Sequence, residues 1–440
     1  MKPKKTPSII QNDLFRIALK DIVNEKHPLV QLSETINWSE LETKFSALYS
    51  DKGREALPVR LLVGLHYLKY SYDLSDERLI GSFIENPYYQ YFCGMTHFQH
   101  HLPLNSSSLT KWRNRLSQAD LELLLSASIE TGIKAGFIKK KELERVIVDT
   151  TVQEKDVRFP TDSRLQDRMR EKLVSQAERE GIFLRQSYKR VGKRELLRIS
   201  GYRKANQFKR AKKSEKRVKT ILGRVIRDIQ RKTSNPSPEM SALLVLAKRL
   251  HAQKRKDKNK IYSIHESGVE CIAKGKAHKK YEFGNKVSIT STLNTNWVVG
   301  SLSFHGNPYD GHTLDEVVKQ TERLTKTTVQ LISADLGYRK HNYIGDAIVH
   351  LSNRFRKKVK PSVKKIWKRR SAIEPIIGHL KTDNRLNRNR LKGIKGDDIN
   401  PILAACGYNM RKLLKAFSLF KNLFKPHLDF IIYRLYLQTS

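Results

Sequence analysis

Acidic side chains are scarce in this chain: 44 aspartates and glutamates stand against 85 lysines and arginines, which leaves a formal charge of +41 and a pI near 10.1. An imbalance of that size opposes compaction through self-repulsion unless a polyanion neutralises it. Cysteine is scarce as well. Cys93, Cys271 and Cys406 lie far apart with no CxxC pair, which argues against a disulfide framework or a zinc module and fits a reducing cytoplasm. Long apolar runs are missing: the stretches at 61–68, 242–247 and 430–437 fall far short of the roughly 20 residues a spanning helix needs. Residues 1–11 are basic and proline-dotted and lack the apolar segment of a secretory signal. A soluble cytoplasmic protein is expected. Its natural polyanion is nucleic acid, since duplex DNA carries one phosphate charge per roughly 1.7 Å of axis.

At 440 residues the chain exceeds the roughly 250 to 300 that one core supports. Residues 38–140 repeat apolar side chains three and four apart, as in Leu57, Leu61, Leu62, Leu65 and Leu68 around Pro58, and read as helical. Segments opening at Ser75 and Ser106 read as further helix starts with serine at the cap. The second carries Lys111, Arg113 and Arg115, and fits either a helix-turn-helix DNA reader or a packing domain with a solvated basic face. The period changes at 145–152, a short β-branched run that reads as a buried strand.

Residues 164–260 hold 31 Lys and Arg against 9 Asp and Glu, so 31 − 9 gives a net +22. The stretch is helix-compatible, with an apolar stripe through Leu173, Leu184, Leu196, Leu197, Val218, Ile221, Leu222, Val225, Ile226 and Ile229, and breaks at 233–238. One-sided charge favours phosphate contact over a merely solvated face. Strands are predicted again at 260–264, 287–292, 297–304 and 329–335, with a helix starting near Thr313, which indicates a mixed α/β sheet. From Pro361 onward the chain reads as helical and basic.

Two of these strands end in aspartate: Val146-Ile147-Val148-Asp149 and Ile332-Ser333-Ala334-Asp335. Groups at the carboxyl ends of neighbouring strands of an open α/β sheet converge on a crevice. Two carboxylates placed there could share divalent ions, because hard cations such as Mg²⁺ take oxygen ligands and leave positions for substrate phosphates. Paired ions suit in-line phosphodiester displacement. Each aspartate alone fits a turn cap equally well. A third acid, Glu374, falls within about 40° of Arg370 and Lys381 on an ideal helix. That face could hold an acid toward metal with bases gripping phosphates beside it, or only a surface ion pair. Pro375 disfavours an uninterrupted helix there.

With these residues placed, the chain resembles bacterial insertion-sequence transposases of the DDE class, in the superfamily named after insertion sequences four and five. The carboxyl-terminal signature of that superfamily is Tyr, two residues, Arg, three residues, Glu, six residues, Lys. Arg370, Glu374 and Lys381 match its last three positions, and Trp367 stands where the tyrosine would be. Asp149 and Asp335 look like the first and second aspartates. Residues 281–286, 306–313 and 369–375 are similar to the insertion-sequence-five branch, and 57–116 to the amino-terminal domain of these proteins.

The resemblance implies a ribonuclease-H-like catalytic core at 141–385 with a basic helical insertion at about 160–260. An all-helical domain at 1–140 and a helical tail at 386–440 complete the expected division. It further implies metal-dependent cutting at transposon ends and strand transfer into target DNA, with no covalent enzyme intermediate. Asp149, Asp335 and Glu374 would ligate two Mg²⁺ or Mn²⁺ ions. Arg370, Lys381, Trp367 and Arg369, with Lys111 and Arg113 of the helical domain, would contact DNA. Asp310 and His312 could line the same site. The partners expected are double-stranded DNA and a second copy of the chain, in the bacterial cytoplasm at the nucleoid. A non-catalytic DNA-binding derivative, or a nuclease that cuts without joining, is the alternative reading.

Overall fold

The computed structural model describes residues 17–49, 52, 56–101, 104–254, 257–266, 268–273, 280–353 and 359–438, with backbone alone from 420 to 438. The basic segment 1–11 lies outside the described residues. Among the described residues no helix is long and apolar enough to cross a membrane, and Cys93, Cys271 and Cys406 are free thiols.

The chain divides into two compact units, residues 1–154 with 285–440, and residues 155–284. The division differs from the three parts expected, because the carboxyl-terminal helix is a core element of the first unit and no detached tail. Ile399, Ile402, Leu403, Cys406, Met410 and Leu413 are buried in the same apolar cluster as Leu61, Leu65 and Val146. Gly407 lets that helix, Gly393–Gln438, approach the helix Val59–Ser71, since a Cβ there would meet the Tyr70 carbonyl oxygen at 2.5 Å. The Tyr70 hydroxyl donates to Asn400 at 2.9 Å across the same contact.

Among the described residues, seven strands form one sheet: β1 (Arg145–Lys155), β2 (Glu270–Ala273), β3 (Tyr281–Thr292), β4 (Val298–Phe304), β5 (Leu331–Ala334), β6 (Ile348–Leu351) and β7 (Arg388–Asn389). In the first unit β1 lies between β3 and β5, β4 pairs antiparallel with β3, and β5 and β6 run parallel to β1. The buried run Val146-Ile147-Val148 explains β1's central place, as a strand covered on both faces carries no polar alternation. Asn409, fully buried on the last helix, donates to Val298 O at 2.8 Å and accepts from Val298 N, which satisfies backbone groups of β4.

The amino-terminal helices share this core and enclose a charged cluster. Ser75 caps the helix Asp76–Glu85 as expected, accepting from Arg78 N at 3.1 Å. His66 sits fully buried against Trp112, its Nδ1 2.7 Å from Leu62 O and its Nε2 3.3 Å from the Arg113 guanidinium. Burial first, then the neighbouring Arg113 charge, pull its pKa down to about 3. A neutral ring therefore donates from Nδ1 and accepts at Nε2. The folded value lies below the unfolded one of about 6.5, so the unfolded chain takes up this proton first as pH falls, and stability drops below pH 6.5. Acidification from pH 7 to 5 is expected to cost about 2 kcal/mol through this group. Urea titrations at the two pH values check it: His66→Gln should show a smaller loss than wild type, and an equal loss overturns the assignment.

The second unit is helical, with Asp162–Arg179, Phe208–Lys232 and Pro238–Ala252 packed around Met169, Leu173, Leu222, Ile226, Ile229 and Leu250, and Lys189–Lys204 lying against Phe208–Lys232. The break expected at 233–238 separates the last two helices. Leu197, expected in the apolar stripe, is 74% exposed. Residues 260–264, predicted as a strand, form none. The side chain of Gln253 takes up the backbone of Ile261, accepting from its N–H at 2.7 Å and donating to its carbonyl, so no ladder is required. The strand of this region is β2, which pairs antiparallel with the start of β3.

Candidate active site

Parallel pairing of β1 with β5 sets Arg145 beside Leu331 and Ile147 beside Ser333. The same register continued two residues brings Asp149 opposite Asp335, on strands about 4.8 Å apart. β5 ends where Asp335 caps the short turn Leu336–Tyr338, its Oδ1 accepting from Gly337 N at 2.8 Å. A Cβ on residue 337 would lie 2.9 Å from that oxygen, so glycine keeps the turn open to the carboxylate. Asp149 Oδ1 accepts from Thr150 N at 2.8 Å.

The third acid arrives on a broken helix. Pro375 was expected to disfavour an uninterrupted helix through 367–381, and Pro361–Arg370 ends at Ser371 while Ile373–Asp383 begins anew. Pro375 accounts for the break: it lacks an N–H and is tolerated only in a helix's first turn, where it stands here. Arg370 and Glu374 nevertheless meet across the joint at 2.9 Å.

One guanidinium gathers all three acids. Arg370 Nη2 lies 2.7 Å from Asp149 Oδ2 and 3.6 Å from Asp335 Oδ2, while Nη1 reaches Glu374 Oε1. The two aspartate oxygens are therefore no farther apart than the sum of the first two distances. Side-chain exposure rises from 16% at Asp149 through 40% at Asp335 to 57% at Glu374, so the cluster opens toward solvent on the glutamate side. Among the described residues no group of three or more His, Cys, Asp or Glu side chains is placed to hold a metal ion as it stands, with Arg370 between the acids. The donor set still fits a hard divalent cation: three carboxylates in reach of one positive centre supply only oxygen.

The other expected contacts divide. Lys381 lies half-buried on the helix Ile373–Asp383, and Lys111 is exposed. Arg369 is held by the β3–β4 turn, donating to Leu293 O, Asn294 O and Asn296 Oδ1 at 2.6 to 2.8 Å, so it serves as a tie between helix and sheet. Trp367 is half-buried, and its indole nitrogen is buried without a hydrogen-bond partner among the described residues. Arg113 departs most from expectation. It is 2% exposed and paired with Asp76, because the apolar face of its short helix turns it inward along with Leu109 and Trp112.

Sequence reading left Lys286 and Tyr338 without roles. Lys286 Nζ bonds Asp310 Oδ1 at 2.7 Å and the Pro308 carbonyl, which joins the two segments 281–286 and 306–313. Asp310 in turn faces the Asp335 turn, its Oδ2 3.6 Å from where a Cβ on residue 337 would stand. His312 is exposed. Tyr338 is buried, and burial, then the charge of Asp149, push its hydroxyl well above the ordinary tyrosine range. The sequence signal for this layer was the likeness of 281–286 and 306–313 to the insertion-sequence-five branch, which named neither the Lys286–Asp310 pair nor the burial of Tyr338.

Residues 17–115 match a transposase domain (DUF772), and residues 251–410 match a transposase DDE domain. Asp335 and Glu374 lie inside the second match and Asp149 between the two. An uncharacterized protein, ORF8 in the nfe locus of Rhizobium meliloti, is 46% identical over 208 residues, which is 47% of this chain and 100% of that relative. No solved structure matches. On these matches, the chain belongs to the insertion-sequence DDE transposases.

Proposed function

We propose that the chain cuts DNA at the ends of a mobile element and joins the freed 3′ ends to target DNA, from a ribonuclease-H-like core. The observation that carries this reading is the meeting of Asp149, Asp335 and Glu374 around one cation from three remote parts of the sequence. The strand order, with β1 between β3 and the parallel strand β5, supports the core assignment. Two Mg²⁺ or Mn²⁺ ions, held by Asp149, Asp335 and Glu374, would supply activation of the attacking oxygen and stabilisation of the leaving one.

The chain's own residues do the rest. Asp149 and Asp335 are fixed by hydrogen bonds to Thr150 N and Gly337 N, so their outer oxygens keep one direction. Glu374, the most exposed acid, orients the attacking water or the 3′ hydroxyl. Arg370, released from the acids, pairs with a phosphate oxygen beside the scissile bond, a geometry its planar fork suits. Lys381 and Trp367 line the DNA path, and Lys111 contacts DNA from the helical domain. The substrate is duplex DNA, and two ends handled together call for a homodimer in the cytoplasm at the nucleoid.

The test is a strand-transfer assay with a duplex carrying the element's terminal repeat, a target plasmid and Mg²⁺. Cut ends joined to plasmid are expected. Cutting without joined product would indicate a nuclease, and binding without either a non-catalytic DNA-binding protein.

A further inference from the structure

We propose that the helical second unit carries a built groove for the sugar-phosphate backbone of duplex DNA, read without regard to sequence. The proposal rests on the DNA-processing reading only in its choice of polyanion. The groove, with a volume of about 480 Å³, is lined by Tyr188, Lys213, Lys216, Arg217, Thr220 and Arg224. Residues 213, 217, 220 and 224 recur at helical spacing on Phe208–Lys232, so they form one stripe. The opposite face of that helix is apolar and buried through Val218, Leu222, Val225 and Ile229. From Lys213 to Arg224 the stripe is about 16 Å long, at 1.5 Å per residue. One strand of duplex presents roughly five phosphates over that length at about 3.4 Å each.

The acids of this unit neutralise only part of the stripe, at Arg217. Glu195 is shared between Arg198 and Arg217, Glu215 pairs with Arg203, and Asp228 pairs with Arg231 and Lys232. Among the described residues, Lys213, Lys216 and Arg224 have no carboxylate within 4.0 Å. Three exposed cations along one groove repel each other, and in a merely solvated face acids would be interspersed.

A second observation points to the same place. Tyr188, a non-glycine residue, adopts a left-handed backbone with φ of 53° at the start of the helix Lys189–Lys204. That conformation costs roughly 1 to 3 kcal/mol and persists where the surroundings enforce it. Here it directs the phenol into the groove, 3.5 Å from Arg224 Nη1. A hydroxyl donor beside cations is a phosphate-binding set, because it adds a directed hydrogen bond to undirected charge.

The experiment uses the full chain carrying Asp149→Asn, in EDTA, so that cutting plays no part in the readout. Anisotropy titrations compare a random 40-base-pair duplex with one carrying the element's terminal repeat, across a range of salt. Combined Lys213→Ala, Lys216→Ala and Arg224→Ala should lower the slope of log affinity against log salt by about 2 to 3. Both duplexes should weaken equally, by at least about tenfold. A control with Lys248→Ala, Lys254→Ala and Lys258→Ala removes the same charge elsewhere in the unit. The swap Lys213→Arg, Lys216→Arg and Arg224→Lys should keep the wild-type slope. A loss no greater than the control's, a loss confined to the terminal repeat, or a lost slope in the charge-conserving swap overturns the proposal. Failure of the chemistry at Asp149 would leave these titrations unchanged.

Discussion

Asp149→Asn is expected to lower Mg²⁺-dependent cutting of a terminal-repeat duplex by at least about a thousandfold, with binding of the same duplex retained. The substitution keeps size and the bond to Thr150 N but removes the charge from the most buried of the three acids. Metal ligation supplies several kcal/mol of charge stabilisation, and each 1.36 kcal/mol is tenfold in rate. Asp335 and Glu374 are more exposed, so water can replace part of their contribution, and Asp149 is expected to be the least replaceable. Loss of the acid also leaves Arg370 less constrained. Gel shift and cleavage on one preparation separate the two effects: retained cutting removes Asp149 from the site, whereas joint loss of binding and cutting indicates a structural role.

Asp76→Ala is expected to destabilise the first unit by about 3 to 5 kcal/mol, the range for removing one partner of a buried ion cluster. Asp76 receives Lys69 at 2.7 Å and the two guanidinium nitrogens of Arg113 at 3.1 and 2.8 Å. Lys69 and Arg113 side chains are only 6% and 2% exposed. Burial acts to raise the Asp76 carboxyl, but the hydrogen bonds and charges of Arg113 and Lys69 outweigh it and hold it far below the usual range. Burial, then Arg113, already bring Lys69 down to about 8. Without the acid two cations face each other in the core, beside the neutral His66. Urea unfolding read from tryptophan emission measures the loss, and a change below about 1 kcal/mol, the scale of an exposed pair, overturns the cluster's role. Because the folded Asp76 value is depressed, its contribution is present above pH 4 and fades as pH falls through that depressed value.

Arg113 shows where sequence reading stops. Three cations in a stretch opening on serines fit a DNA-reading face, and Lys111 and Arg115 are indeed exposed. Asn105 and not a serine stands at the cap, and Arg115 lies past the helix end. Arg113 is turned inward by a partner 37 residues away. No local pattern reveals such a pairing, since its energy depends on what else is buried nearby. The strand at 260–264 failed for a related reason. Its β-branched composition is real, but Gln253 offers the backbone a competing set of hydrogen bonds. Arg369 was likewise legible as a cation and not as the tie that fixes the β3–β4 turn.

The sequence by itself determined the one-sided charge that calls for a polyanion, 85 basic against 44 acidic residues, and the strand ends that carry Asp149 and Asp335. It determined the helical, basic character of the second unit, because charge sign and apolar period are local properties of the chain. Only the tertiary structure decided that Asp149, Asp335 and Glu374 share one cation, that Lys286 steadies Asp310 behind them, and that the last helix is core. Propensity and charge act between neighbours in sequence. Convergence of residues about 40 to 225 positions apart is fixed by strand register and by the burial that rewards it.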